Sequence, residues 1–142
     1  EAYSFPPAGR IARADIKILK GLGLGFRAAY IKDTAQKVAS KKFDLDELED
    51  LNYGEAKRRL LSLKGVGEKV ADCALLFSFR KYEAFPVDVW IKRGVERLYF
   101  GGKTMAPKKA AAFARERFGP YAGYAQEYLY HYLRHERGKH DR

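Results

Sequence analysis

The sequence holds a single cysteine, Cys73, so no disulfide can close within it and no four-cysteine iron–sulfur cluster can be built from it. A reducing compartment is the expectation. No stretch approaches the ~20 consecutive apolar residues of a membrane-spanning helix, and the first residues show neither a basic nor an apolar leader pattern. No period of roughly 20 to 50 residues recurs and no segment is of low complexity, which argues against a repeat array. Alternating apolar and polar runs, the mark of half-buried strands, are absent apart from short ambiguous stretches. Histidine is scarce too. His131, His135 and His140 have no carboxylate or cysteine at ligand spacing, so no metal site is expected.

Acidic residues are outnumbered: 28 Lys and Arg against 18 Asp and Glu leave a net charge of +10. That balance calls for a polyanionic partner, either a nucleic acid or an anionic membrane surface, with DNA the better match. At 142 residues the chain is one domain by prior, large enough to bury roughly 70% of the surface its unfolded form exposes.

What is present reads as helix nearly throughout. Ile11, Ile18, Leu19 and Leu22 mark an apolar stripe stopping at Gly21, Gly23 and Gly25, and a second helix is expected from near Phe26 through Ala29, Tyr30 and Val38. Asp44 with Glu47 reads as a capping box for a short helix carrying Leu45, Leu48 and Leu51. The next helix carries Ala56, Leu60 and Leu63. A hairpin at 64–67 and a helix from 68 to about 79 then complete a helix-hairpin-helix unit at about 54–79. Pro86 breaks the chain, Asp88 stands at a helix N-cap ahead of Val89, Ile91, Val95 and Leu98, and Gly101-Gly102 ends that helix. Two further helices are expected, from near Pro107 to Gly119 and from about Tyr121 to Arg137. The fold class is therefore all-α, with 1–142 as a single helical domain.

The chemistry concentrates in residues 63–93. Gly65-Val66-Gly67 forms a tight turn whose N–H groups can approach a phosphate, and Lys69, two residues past the last glycine, can serve as an amine nucleophile. Asp88, 19 residues later in Phe85-Pro86-Val87-Asp88-Val89, supplies a carboxylate. A lone lysine on a helix is ordinarily a solvated residue and a lone aspartate before a helix ordinarily a cap. Their order and separation around the hairpin carry the weight, and Asp88 can be cap and catalyst at once. The hairpin by itself implies only phosphate contact without sequence readout.

This compound pattern resembles the helix-hairpin-helix Gly/Pro-Asp superfamily of base-excision DNA glycosylases, in its lysine-bearing members that also nick the strand. From Phe5 to about Tyr130 the chain is similar to the 8-oxoguanine DNA glycosylase/AP lyase family, through Leu22-Gly23-Leu24-Gly25-Phe26-Arg27, Lys69-Val70-Ala71-Asp72-Cys73 and the run Phe118 to Gln126. The resemblance implies a helix-hairpin-helix glycosylase fold, with Lys69 adding to the sugar C1′ to form a Schiff base, Asp88 stabilising the positive charge that develops there, and β-elimination nicking the strand. It implies Cys73 and Tyr130 on the two faces of an extruded 8-oxoguanine, Gln126 on its Watson–Crick edge and Phe77 at the wall. Spacing agrees: Lys69, Cys73 and Phe77 fall at i, i+4 and i+8, and Gln126 and Tyr130 at i, i+4. It implies Phe26 as the wedge entering the duplex, Arg27 at the estranged cytosine, and Lys64, Gly65, Val66 and Gly67 on the phosphates.

The chain departs from the family at Trp90 and Leu133, which replace an interacting histidine and aspartate of some members, and at Tyr130, which replaces a phenylalanine. The family also has helices upstream of the matched region, so the fold is expected to be incomplete at its N-terminus, with the chain forming the C-terminal portion of the glycosylase domain. No cofactor is expected. The expected partner is double-stranded DNA containing an oxidised purine, bound by a monomer at no membrane, inside the cell. Lys108, Lys109, Arg134, His135, Arg137, Lys139, His140 and Arg142 either contact phosphates or form a solvated end.

Overall fold

Helix punctuation in the sequence translates directly into the architecture. The computed structural model describes residues 3–140, with side chains through residue 136. Among the described residues there is no strand, and no helix is long and apolar enough to cross a membrane.

The first three helices are α1 (Ala8–Arg13), α2 (Ile16–Leu19) and α3 (Arg27–Ala39), with α1 packed along α3. The single stripe expected across Ile11 to Leu22 is in fact two helices. Ala14 and Asp15 are extended, and the Asp15 carboxylate accepts a hydrogen bond from the Lys17 backbone N–H at 2.7 Å, capping α2 and ending α1. A wide turn over Lys20–Leu24 leads to Phe26, with Gly23 (φ +81°) and Gly25 (φ +53°) in conformations that side chains disfavour.

Next come α4 (Glu47–Asp50), α5 (Tyr53–Leu61) and α6 (Glu68–Ser78). The capping box expected from Asp44 and Glu47 does not form. Asp44 Oδ1 accepts instead from the Asp46 N–H at 2.9 Å, a local turn that holds Leu45 outside a helix of only four residues. Asn52 caps α5 by accepting from the Glu55 N–H at 3.0 Å. α5 and α6 pack as the expected helix-hairpin-helix around Leu48, Leu60, Leu63, Leu75 and Leu76.

A second core joins α7 (Val89–Tyr99), α8 (Pro107–Phe118) and α9 (Ala122–His140) around Phe85, Ile91, Val95, Ala110, Ala114 and Ala122. Its alanines let the helices approach closely. Gly94 does the same: a Cβ there would lie 2.3 Å from Leu133 Cδ1 of α9. Buried Glu96 closes this core's edge, accepting from Lys92 Nζ at 2.6 Å and from the Met105 N–H at 2.7 Å.

Candidate active site and DNA interface

The hairpin is built by close approach. Gly65 has φ +82°, and a Cβ on it would lie 2.2 Å from the Tyr30 ring of α3, so only glycine lets the turn sit there. The following helix begins at Gly67 with no capping side chain, and its first internal bond runs from the Ala71 N–H to the Gly67 carbonyl at 2.9 Å. The N–H groups of the first turn of α6 thus present an anion-binding end. Phe26, Arg27, Lys64, Gly65 and Val66 line one apolar groove of about 610 Å³ beside this turn. Phe26 is 69% exposed, with the Arg27 guanidinium 4.8 Å from its ring centre and Tyr30 edge-on at 6.1 Å. The residues expected at the wedge, the estranged cytosine and the hairpin phosphates, Gly67 included, therefore gather at one end of the α5–α6 unit.

Lys69 lies exposed in the first turn of α6. Asp88 caps α7, its Oδ1 accepting from the Ile91 N–H at 2.8 Å. Phe85 and Ile91, both fully buried, pin the cap from either side, so the half-buried carboxylate has a fixed position on the surface of the second core.

The candidate pocket residues are distributed unevenly. Phe77 is exposed and lines a cavity of about 280 Å³ with Leu76, Arg80, Tyr82, Tyr124 and Glu127. Lys69, Asp88, Cys73, Gln126 and Tyr130 line neither this cavity nor the groove. Cys73 is a half-buried free thiol, and the half-buried ring of Tyr130 has the Arg134 guanidinium 5.7 Å from its centre. Gln126 is buried, and among the described residues its Oε1 has no hydrogen-bond partner. An unmet acceptor inside a protein costs on the order of 1–3 kcal/mol.

Two features around the site escaped sequence reasoning. Gly123 draws α9 against the end of α6: its N–H donates to the Tyr82 carbonyl at 2.7 Å, and a Cβ would lie 2.2 Å from Leu76 Cδ1. The second is a charged cluster behind α6. Asp72, 2% exposed, accepts from the Tyr53 hydroxyl at 2.8 Å, and Lys57 Nζ lies 2.8 Å from Asp72 Oδ1, 2.8 Å from Glu68 Oε2 and 3.0 Å from the Tyr53 hydroxyl. Arg115 of α8 donates to that hydroxyl at 3.3 Å. Burial opposes the charge on Lys57, yet hydrogen bonds to Asp72, Glu68 and Tyr53 outweigh it and hold the ammonium well above the ordinary lysine value. The only sequence signal was Asp72 itself, an acid on the apolar face of α6.

Residues 1–120 match the profile of HhH-GPD superfamily base excision DNA repair proteins. The chain belongs to that superfamily. It is 41% identical to a probable N-glycosylase/DNA lyase of Methanothermobacter thermautotrophicus, over 82% of this chain and 36% of the relative. It is 35% identical to the N-glycosylase/DNA lyase OGG1 of Arabidopsis thaliana, over 92% of this chain and 38% of that protein. Its fold superposes with a TM-score of 0.90 and 38% identity on the Clostridium acetobutylicum 8-oxoguanine glycosylase/lyase in complex with DNA containing cytosine opposite 8-oxoG, covering 95% of this chain and 46% of that one. The chain thus spans less than half the length of these relatives.

Within this HhH-GPD chain the hairpin, Lys69 and Asp88 fall inside the matched region, and Gln126 and Tyr130 lie beyond it on α9. Of the basic residues expected at the C-terminal end, Arg134 and His135 are exposed, whereas the side chains of Arg137, Lys139, His140 and Arg142 lie outside those described. His131 and His135 stack edge to face at 4.3 Å between ring centres. Among the described residues no group of three or more His, Cys, Asp or Glu side chains could hold a metal ion.

Proposed function

We propose that this chain carries the chemistry of a DNA glycosylase/AP lyase that removes 8-oxoguanine from duplex DNA and nicks the strand at the resulting site, acting as a monomer without a cofactor. The carrying observation is an exposed lysine in the first turn of a helix whose uncapped N-terminus follows a glycine hairpin, in a fold shared with an 8-oxoguanine glycosylase/lyase.

Each step assigns a task to a residue. The hairpin N–H groups and Lys64 hold the backbone phosphates, Phe26 enters the duplex where the base leaves, and Arg27 engages the cytosine left behind. The base enters between α6 and α9, stacked by Cys73 and Tyr130, with Phe77 at the wall and the Gln126 amide on its edge. Lys69 Nζ bonds to C1′ as the C1′–N9 bond breaks, losing a proton from the nitrogen as the new bond forms, and the electron pair of the broken bond leaves with the base, which takes up a proton. Asp88 stabilises the cationic sugar, and its bond to the Ile91 N–H fixes its orientation. Opening of the sugar ring gives a C1′=N Schiff base. Loss of a C2′ proton then expels the 3′ phosphate and breaks the strand.

Borohydride reduces such an intermediate to a stable amine. The chain should crosslink to 8-oxoguanine duplex under borohydride, and Lys69→Gln should abolish the crosslink. A crosslink surviving that substitution refutes the nucleophile. A second reading, a DNA-binding module without turnover, is favoured by the share of the relatives' length the chain leaves unmatched. Single-turnover excision by the 142-residue chain eliminates it.

A further inference from the structure

The buried face of α6 is Ala71, Asp72, Leu75 and Leu76. Packing alone does not require the acid: replacing a buried ion pair by apolar residues of similar volume is often neutral or stabilising. What the charged cluster adds is direction. Apolar contacts leave a helix free to rotate slightly against its neighbour, whereas hydrogen bonds have angular requirements. Asp72 sits one turn after Lys69 and next to Cys73, and it is gripped by Tyr53 and Lys57 of α5, with Arg115 of α8 bracing Tyr53 through both the hydroxyl and the ring face. Lys57 also holds Glu68, the residue directly before Lys69. The four charged side chains, Lys57, Arg115, Asp72 and Glu68, sum to zero.

We propose that Lys57 and Tyr53 are positioning residues, setting the rotation of α6 through Asp72 so that the Lys69 amine meets the sugar carbon. This rests on the reading of Lys69 as nucleophile. An amine roughly 8 Å from the helix axis moves by about 1.4 Å when the helix turns by about 10°. Misplacement by about 1 Å can cost a reaction up to about 100-fold.

The test uses the 142-residue chain on duplex carrying an abasic site, which requires no base pocket. Tyr53→Phe, which deletes one hydroxyl, and Lys57→Met should each lower the single-turnover rate of borohydride trapping at saturating protein by about 10-fold or more, with affinity for a tetrahydrofuran-containing duplex held within about 3-fold. Lys57→Arg, which keeps charge and donors, should trap faster than Lys57→Met. The apolar pair Lys57→Met/Asp72→Leu should regain melting temperature but not rate. Trapping within about 2-fold of wild type in folded Tyr53→Phe, or a rate recovered together with melting temperature in the apolar pair, overturns the role and leaves a mere structural brace. Wild-type chain that fails to trap, or trapping that survives Lys69→Gln, instead overturns the nucleophile and this role with it.

Discussion

Replacing Gly123 with alanine puts a methyl group 2.2 Å from Cδ1 of Leu76 and 3.0 Å from the carbonyl oxygens of Tyr82 and Ala84. The Leu76 methyl can turn away. The Tyr82 carbonyl cannot, because it accepts the Gly123 N–H at 2.7 Å. Overpacking of this kind costs about 1–3 kcal/mol, and the backbone contacts place this site in the upper half of that range. For a chain of this size each kcal/mol lowers the melting temperature by about 2–4 °C, so a fall of roughly 5–10 °C is expected. α9 carries Gln126 three residues on, so excision of 8-oxoguanine should fall further than trapping at an abasic site. Calorimetry and the two single-turnover assays measure these effects. A Gly123→Ala chain within about 0.5 kcal/mol of wild type would show that α6 and α9 are not pressed together there.

Three other perturbations probe the interface and the charged cluster. Gly65→Ala drives a methyl into the Tyr30 ring and forces a left-handed backbone on alanine, so it should weaken binding to undamaged duplex by about 10-fold or more and lower stability by at least about 1 kcal/mol, read by anisotropy and thermal melting. Lys64→Ala should weaken DNA binding about equally across sequences and reduce the slope of log affinity against log salt by about 0.9. The hydrogen bond from Lys57 holds Glu68 below the ordinary carboxylate value. A lowered acid stabilises the fold above its unfolded value and loses that contribution as pH falls through the folded one, so wild type should be more stable than Glu68→Gln at neutral pH, with the gap closing in acid below the ordinary carboxylate range. A gap independent of pH refutes the ion pair.

Local rules made most of the fold legible. Glycine hairpins, Pro107 at a helix start and Asp88 at a cap each follow from one residue's backbone chemistry, and the structure places helices at those points. The misreadings came from the same chemistry in competition. Asp15 and Asp44 each carry a side chain able to bond nearby backbone N–H groups, and they use it to break a helix in one place and delay one in the other. Pairing between distant positions was beyond reach: nothing in the spacing of Tyr53, Lys57, Asp72 and Arg115 announces that three helices meet there. Gly123 was equally silent, because a glycine inside a helix reads as a weakness until the neighbour it admits is known.

Where the chain disobeys those local rules also discriminates between the two functional readings. A module that only grips phosphates accounts for the uncapped hairpin, Lys64 and Arg27, and an exposed Phe26 fits one that also wedges the duplex. It gives no reason for an exposed Phe77 at the α6–α9 cavity, nor for a buried Gln126 whose carbonyl oxygen lacks a partner among the described residues, three residues past the glycine that draws α9 against α6. The glycosylase proposed above gives both a use, because an extruded base offers a ring to stack and donors along its edge. If that oxygen is a reading head, Gln126→Leu, close in volume and without the amide, should be at least as stable as wild type and still trap at an abasic site, while excision of 8-oxoguanine falls by about 10-fold or more. Loss of stability with excision intact would make the amide part of the core and return the weight to the binding module.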